Sequence, residues 1–168
     1  MLPMRMRMPA TSPIAGSRPA LVIWLAIAFL PAVIGMRTPP DDWFRALRAP
    51  PLNPPGWLFA PVWTLLYASI GIAAWLLWRR APWAQARAPW VAFAAQLALN
   101  AAWTPLFFAR HRPDVALACI LALDLAIAAC IVSWSRHRRS AAMLLVPYAL
   151  WVAFATYLNA GFWWLNRS

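Results

Sequence analysis

The chain has 168 residues, of which 64% are hydrophobic and 11% charged, and 15 basic against 4 acidic residues leave a net charge of +11. A soluble domain is about half apolar and about a quarter charged, so this balance excludes an ordinary water-soluble fold, and the apolar excess excludes disorder. What remains is an integral membrane protein of the all-α class, because the apolar runs do not alternate as barrel strands do.

In chain order, residues 1–18 hold four Met, three Arg and several Pro and read as a disordered N-terminal tail. Residues 19–166 then read as one five-helix transmembrane bundle. Its apolar stretches run about Pro19–Met36, Trp57–Trp78, Ala88–Ala109, Val115–Trp134 and Ser140–Leu165, and a span needs roughly 17–25 residues. All 15 Arg lie outside these stretches, which is the best single evidence for five spans. A cleaved signal peptide competes for the first stretch, but Leu21 to Met36 is long for such a segment and no small-x-small signal closes it. Nine Arg flank the N-terminal side of the membrane and six the other, a narrow margin for a cytoplasmic N-terminus. Arg placed this way sets topology and meets anionic headgroups; with no separate basic face, nucleic acid is not an expected partner.

The longest loop, about Arg37–Gly56, carries Trp43, Phe44 and the run Pro50, Pro51, Pro54, Pro55, and is expected to be stiff and extended. Its two aromatics either anchor at the headgroups or cap a pocket between helices. Pro31, Pro61, Pro105 and Pro147 fall inside spans; each removes a backbone donor, and all but Pro61, near a helix start, threaten a kink.

Among 13 Trp, Trp57, Trp78, Trp83, Trp90, Trp134, Trp163 and Trp164 lie near span ends and suit an interfacial belt. Trp63, Trp103 and Trp151 lie deeper and need partners for their indole N–H groups. Helical spacing puts Gln96, Asn100, Trp103 and Phe107 on one face of the third span, Tyr148, Trp151, Ala155 and Asn159 on one face of the fifth, and Trp63 with Tyr67 on the second. Such stripes are expected to converge inside the bundle. They either glue the helices or line a pocket for a flat, mostly apolar ligand. Three amide side chains among at least five large aromatics suit the pocket better. The opposite face of the third span, Ala94, Ala98 and Ala102, permits close helix approach and suggests a homodimer.

The remaining chemistry is sparse. Asp124, the one acid within a span, reads as a hydrogen-bonded structural carboxyl rather than a relay. Cys119 and Cys130 sit on one helix about 16 Å apart, too far to bridge. His111 and His137 lie in basic loops and read as interfacial charge. There is no nucleophile elbow, phosphate loop or zinc signature, so no catalytic or metal-ligating residue is assigned and no cofactor is obligatory.

The stretches NPPGWLFAPVWTLLY (53–67), QLALNAAWTPLFF (96–108) and VPYALWVAFATYLN (146–159) strongly resemble the tryptophan-rich sensory protein family, also called the translocator protein or peripheral benzodiazepine receptor family, over about residues 20–166. The resemblance implies a five-helix bundle, often dimeric. It also implies a ligand pocket for porphyrin or haem, and in some members for sterols and benzodiazepine-type ligands. Carried over by motif, the ligand-binding residues are Phe44, Trp63, Tyr67, Asn100, Trp103, Trp151 and Ala155. Phe44 stands where some members have Tyr. The first-loop run Ala49-Pro50-Pro51-Leu52-Asn53-Pro54-Pro55 lacks the Lys and Trp of the pattern many members share. Tyr157 is followed by no basic residue until Arg167, so tetrapyrrole is favoured over sterol. The expected role is a membrane receptor or sensor of tetrapyrroles, in a bacterial cell envelope, acting on tetrapyrrole metabolism or stress signalling. The alternatives are a transporter of porphyrin or other amphiphiles, against which the absence of an inverted repeat weighs, and a light-dependent porphyrin-degrading enzyme using Trp63 and Trp151.

Overall fold

The computed structural model describes residues 18–167. Five helical spans run Arg18–Gly35, Gly56–Trp78, Arg87–Ala109, Pro113–Ser135 and Arg139–Leu165, and no strand occurs among the described residues. The bounds fall within two residues of those expected, because Arg is too costly in hydrocarbon to enter a span. Arg18 opens the first helix; the rest of the expected N-terminal tail lies outside the described residues.

The fourth span packs between the third and the fifth, and the second packs on the N-terminal part of both the first and the fifth. Ile70, Leu77, Leu123, Ile127 and Val152 fill the centre with almost no exposure. Gly71 lets the first span come close: a Cβ there would sit 2.8 Å from the Leu25 Cα.

The span prolines act in different ways. The first span breaks at Phe29, between Arg18–Ala28 and Leu30–Gly35, where Pro31 has no N–H to offer. Its N-terminal half rests on the second span and its C-terminal half on the third. The fifth span breaks at Leu145 ahead of Pro147, and the nearby Leu144 carbonyl accepts from Ser69 Oγ at 2.7 Å. Pro105 opens a wide π turn, Pro105–Ala109, with Arg110 N–H donating to the Pro105 carbonyl at 2.9 Å. Pro61 sits in the first turn of the helix Phe59–Trp78 without breaking it.

Two expectations need correction. Trp78, Trp90 and Trp134 are not belt residues. With Trp24 and Phe93 they form a knot inside the bundle, Trp24 stacking on Trp90 at 4.7 Å, and Trp90 and Trp134 are 3% and 0% exposed. A position near a span end says nothing about which side of the helix it occupies. Backbone carbonyls satisfy these indoles: Trp90 Nε1 donates to Ala81 O at 2.8 Å and Trp134 Nε1 to Pro89 O at 3.2 Å. Trp57, Trp83 and Trp164 are exposed, as a belt requires.

The first loop is also not wholly extended. Residues Asp42–Ala46 form a short helix, capped where Asp41 Oδ1 accepts from Phe44 N–H at 3.1 Å. An Asp before an acidic first turn is the signal that marks such a start.

Candidate functional site

Below the first loop lies a cavity of about 660 Å³, within the roughly 300–1,000 Å³ typical of small-molecule sites. The structure brings all seven motif-derived residues, Phe44, Trp63, Tyr67, Asn100, Trp103, Trp151 and Ala155, to its wall. Trp63 stacks on Tyr67 at 5.2 Å and Trp103 on Phe107 at 5.4 Å. Phe44, on the loop helix, meets Phe107, Phe108 and Phe162 edge-on or tilted and forms the roof. Of the two loop aromatics, Phe44 therefore caps a pocket, while Trp43 packs outside the lining against Phe107 and His111.

The polar stripes both glue and line. Tyr67 OH donates to Asn100 Oδ1 at 2.9 Å, Asn100 Nδ2 to Tyr148 OH at 3.0 Å, and Tyr148 OH to Gln96 Oε1 at 3.0 Å. This chain ties the second, third and fifth spans together. Tyr67 and Asn100 show one side of it to the cavity, while Tyr148 and Gln96 stand behind the wall. Trp103 Nε1 donates to Asn159 Oδ1 at 2.8 Å, and Asn159 Nδ2 to the Pro113 carbonyl at 2.8 Å, so those groups are also spoken for. Trp151 differs: its indole nitrogen is buried with no protein partner. A buried unpaired donor costs about 1–3 kcal/mol, and an acceptor on a guest would relieve that cost.

The lid is fastened on two sides. Asn166 at the end of the fifth span accepts from Arg48 N–H at 2.9 Å and donates to Arg48 O at 3.0 Å. Tyr157 OH donates to Pro51 O at 3.0 Å. Pro50 lies so close to Gly161 that a Cβ there would stand 2.5 Å from the Pro50 Cβ. Across the cavity, His111 pairs with Asp41 at 2.9 Å and stacks on Trp43 at 4.2 Å. His111 is thus a lid contact rather than a free interfacial charge, and it holds a left-handed backbone, φ 51°. The Phe44 amide, and to a lesser degree His111, keep the Asp41 carboxyl below its ordinary range.

Around this end, Arg45 pairs with Asp42 at 2.7 Å and Arg112 with Asp114 at 2.6 Å. Asp124 accepts from Thr156 Oγ1 at 2.8 Å, the structural role expected of it. Cys119 and Cys130 are both free. No group of His, Cys, Asp or Glu among the described residues could hold a metal.

Several lining residues escaped the sequence reading. Phe162 follows Asn159 by three, and extending the fifth-span stripe one more turn would have reached it. Phe59 precedes Trp63 by four, so extending the second-span stripe back one turn would have reached it. Pro31, Gly35 and Asn53 also line the cavity; their spacing carries no signal, because a kink and a loop place them there.

Residues 20–165 match the TspO/MBR family. The chain belongs to that family. It is 40% identical over 126 residues, 75% of this chain and 81% of the relative, to the tryptophan-rich protein TspO of Archaeoglobus fulgidus. It is 38% identical over 136 residues, 81% and 84% of the two chains, to the tryptophan-rich sensory protein of Cereibacter sphaeroides. It is 38% identical over 128 residues, 75% and 76%, to the human translocator protein. This TspO/MBR protein is therefore a multi-pass membrane protein, and the matched range spans the five helices that carry the cavity.

Proposed function

We propose that this TspO/MBR protein is a membrane receptor or sensor whose cavity binds a tetrapyrrole, a porphyrin or haem, and through it modulates tetrapyrrole metabolism or stress signalling. The observation that carries this reading is the convergence of Trp63, Tyr67, Trp103 and Trp151 on one cavity of about 660 Å³ roofed by Phe44. A porphyrin is a broad apolar plate with carboxylates at its rim. Indole and phenol rings suit its faces. The N–H of Trp151 and the Arg of the lid end suit its polar edge. The lining is mostly aromatic and apolar, with no His or Cys, so recognition rests chiefly on the faces of the macrocycle. The closed aromatic knot at the other end of the bundle supports a receptor over a conduit.

The binding test is fluorescence quenching by protoporphyrin in the reconstituted protein. The double variant Trp63→Ala, Trp151→Ala is expected to bind roughly tenfold more weakly or worse, since each aromatic contact adds about 0.5–1.5 kcal/mol beyond its buried area. Equal affinity would reject the site.

The reading extends to a homodimer in a bacterial envelope, its protomers meeting on the third span, where Ala94 and Ala98 are exposed and allow close approach. Mass photometry in lipid nanodiscs is expected to show a dimer that Ala98→Leu splits. A wild-type monomer at every protein-to-lipid ratio would end this part of the reading. Sterol is a weaker candidate partner than bilayer lipid, since the Tyr157 hydroxyl is engaged with Pro51.

A further inference from the structure

The lid and the side wall of the cavity are held very differently. Three hydrogen bonds from Asn166 and Tyr157, the Gly161 notch and the Asp41–His111 pair fasten the lid. The wall between the first and second spans has no such ties. The Arg18–Ala28 half of the first span packs on the second span, but beyond the break at Phe29 the Leu30–Gly35 half veers onto the third, where Gly35 faces Thr104. The two spans therefore diverge above the contact of Phe29 with Tyr67 at 5.5 Å. The cavity fills the wedge. Its lining includes Gly35 and Met36 from the first span and Gly56 and Ala60 from the second, small or flexible residues, of which Met36, Gly56 and Ala60 are exposed. No hydrogen bond or ring contact crosses the wedge at this level among the described residues.

The wedge opens at membrane depth. Leu30 to Gly35 rises about 9 Å along the helix, within a stretch free of charged residues, as is Phe59–Trp78. Leu30, Val33 and Ile34 on one edge and Leu65 on the other span are exposed apolar side chains, which suit acyl chains rather than water.

The geometry points to a lateral doorway: the guest passes between the first and second spans directly from the hydrocarbon, while the lid stays fastened. The substrate class that follows is an amphiphile already dissolved in the bilayer, its flat body sliding in sideways and its polar edge staying near the Arg-rich surface. Pro31 is the residue that makes the doorway, through the break it imposes.

The inference rests on the cavity being a binding site, and the experiment separates the two. Protoporphyrin in phosphatidylcholine vesicles serves as the probe, with the full chain reconstituted. Absence of saturable quenching in the wild type would remove the binding reading itself. Given binding, Ala60→Trp is expected to slow association and dissociation together by at least tenfold. The lid-releasing pair His111→Ala, Asn166→Ala, neither of which lines the cavity, is expected to leave association within about twofold. A tenfold faster association in the lid pair, with no slowing by Ala60→Trp, would overturn the doorway. Should Ala60→Trp fail to fold, the wild type still decides: bound porphyrin should be quenched more by lipid carrying a nitroxide high on its acyl chain than by aqueous iodide, and the reverse order would overturn the proposal.

Discussion

The two ends of this bundle use the same side chain for opposite ends. At the Arg79–Arg87 end, Trp24, Trp78, Trp90 and Trp134 interlock, and the two most buried indoles give their N–H groups to backbone carbonyls. At the lid end, Trp63, Trp103 and Trp151 stand around empty volume, and the Trp151 nitrogen has no partner. Tryptophan abundance is thus no measure of function. Whether the ring meets protein or space separates filler from receptor; the N–H partner alone does not, since Trp103 at the cavity donates to Asn159 and Trp75, away from it, also has a buried unpaired nitrogen.

The sharpest way to break this distinction is at the knot. Trp134→Ala removes a side chain with no exposure and is expected to cost about 3–5 kcal/mol, seen as a lower melting temperature in detergent. If the melting point barely moved, the knot would not be the structural half of the molecule.

Trp151→Phe should behave in the other sense. It deletes the unpaired N–H while keeping an aromatic ring, so the ligand-free protein should be as stable as wild type or more so. Porphyrin affinity should fall about fivefold, the worth of one hydrogen bond near 1 kcal/mol. Calorimetric melting with and without porphyrin reads both, and a loss of stability without ligand would show that the indole had a structural partner after all.

The smallest effect belongs to the lid. Asp41 titrates below its ordinary value of 3.8, chiefly because its carboxylate accepts from the Phe44 amide. A depressed folded-state pKa contributes stability that is present above the unfolded value and is lost as pH falls through the folded one. The protection of the Phe44 amide measured by NMR, relative to its intrinsic exchange rate, should therefore stay constant around neutral pH and fall a few-fold only below about pH 4. Asp41→Ala should show the lower protection at all pH values. Loosening that begins well above pH 4 would overturn the assignment to Asp41.

Much of this was readable from the residues. Segregated Arg marked the spans closely, since the cost of burying a guanidinium leaves little latitude. Spacings of three and four gathered the pocket stripes, because helical azimuth follows directly from sequence distance. Two kinds of feature resisted. Position near a span end assigns Trp90 and Trp134 to the surface, but depth is independent of which neighbour a helix turns toward. The prolines flagged disturbance but not its form: a break at Phe29, a wide turn after Pro105 and a break at Leu145 depend on which surrounding group compensates the missing N–H. Gly35 and Asn53 reach the cavity only because of such disturbances, and their positions carried no pattern to find.

The chain from Tyr67 to Gln96 has a polarity that reaches further than its geometry. Each hydrogen points the same way: hydroxyl to amide oxygen, amide nitrogen to hydroxyl, hydroxyl to amide oxygen. Asn100 is the link that both takes and gives, its oxygen toward Tyr67 and its nitrogen toward Tyr148, between two hydroxyls that can each donate or accept. Exchanging it for aspartate alters almost no volume, yet puts an ionisable carboxyl into a buried site with no basic residue in the cavity lining to pair it. In this row the nearest chemical look-alike is the worse intruder, and a size-based view of tolerance at position 100 would rank the replacements in the wrong order.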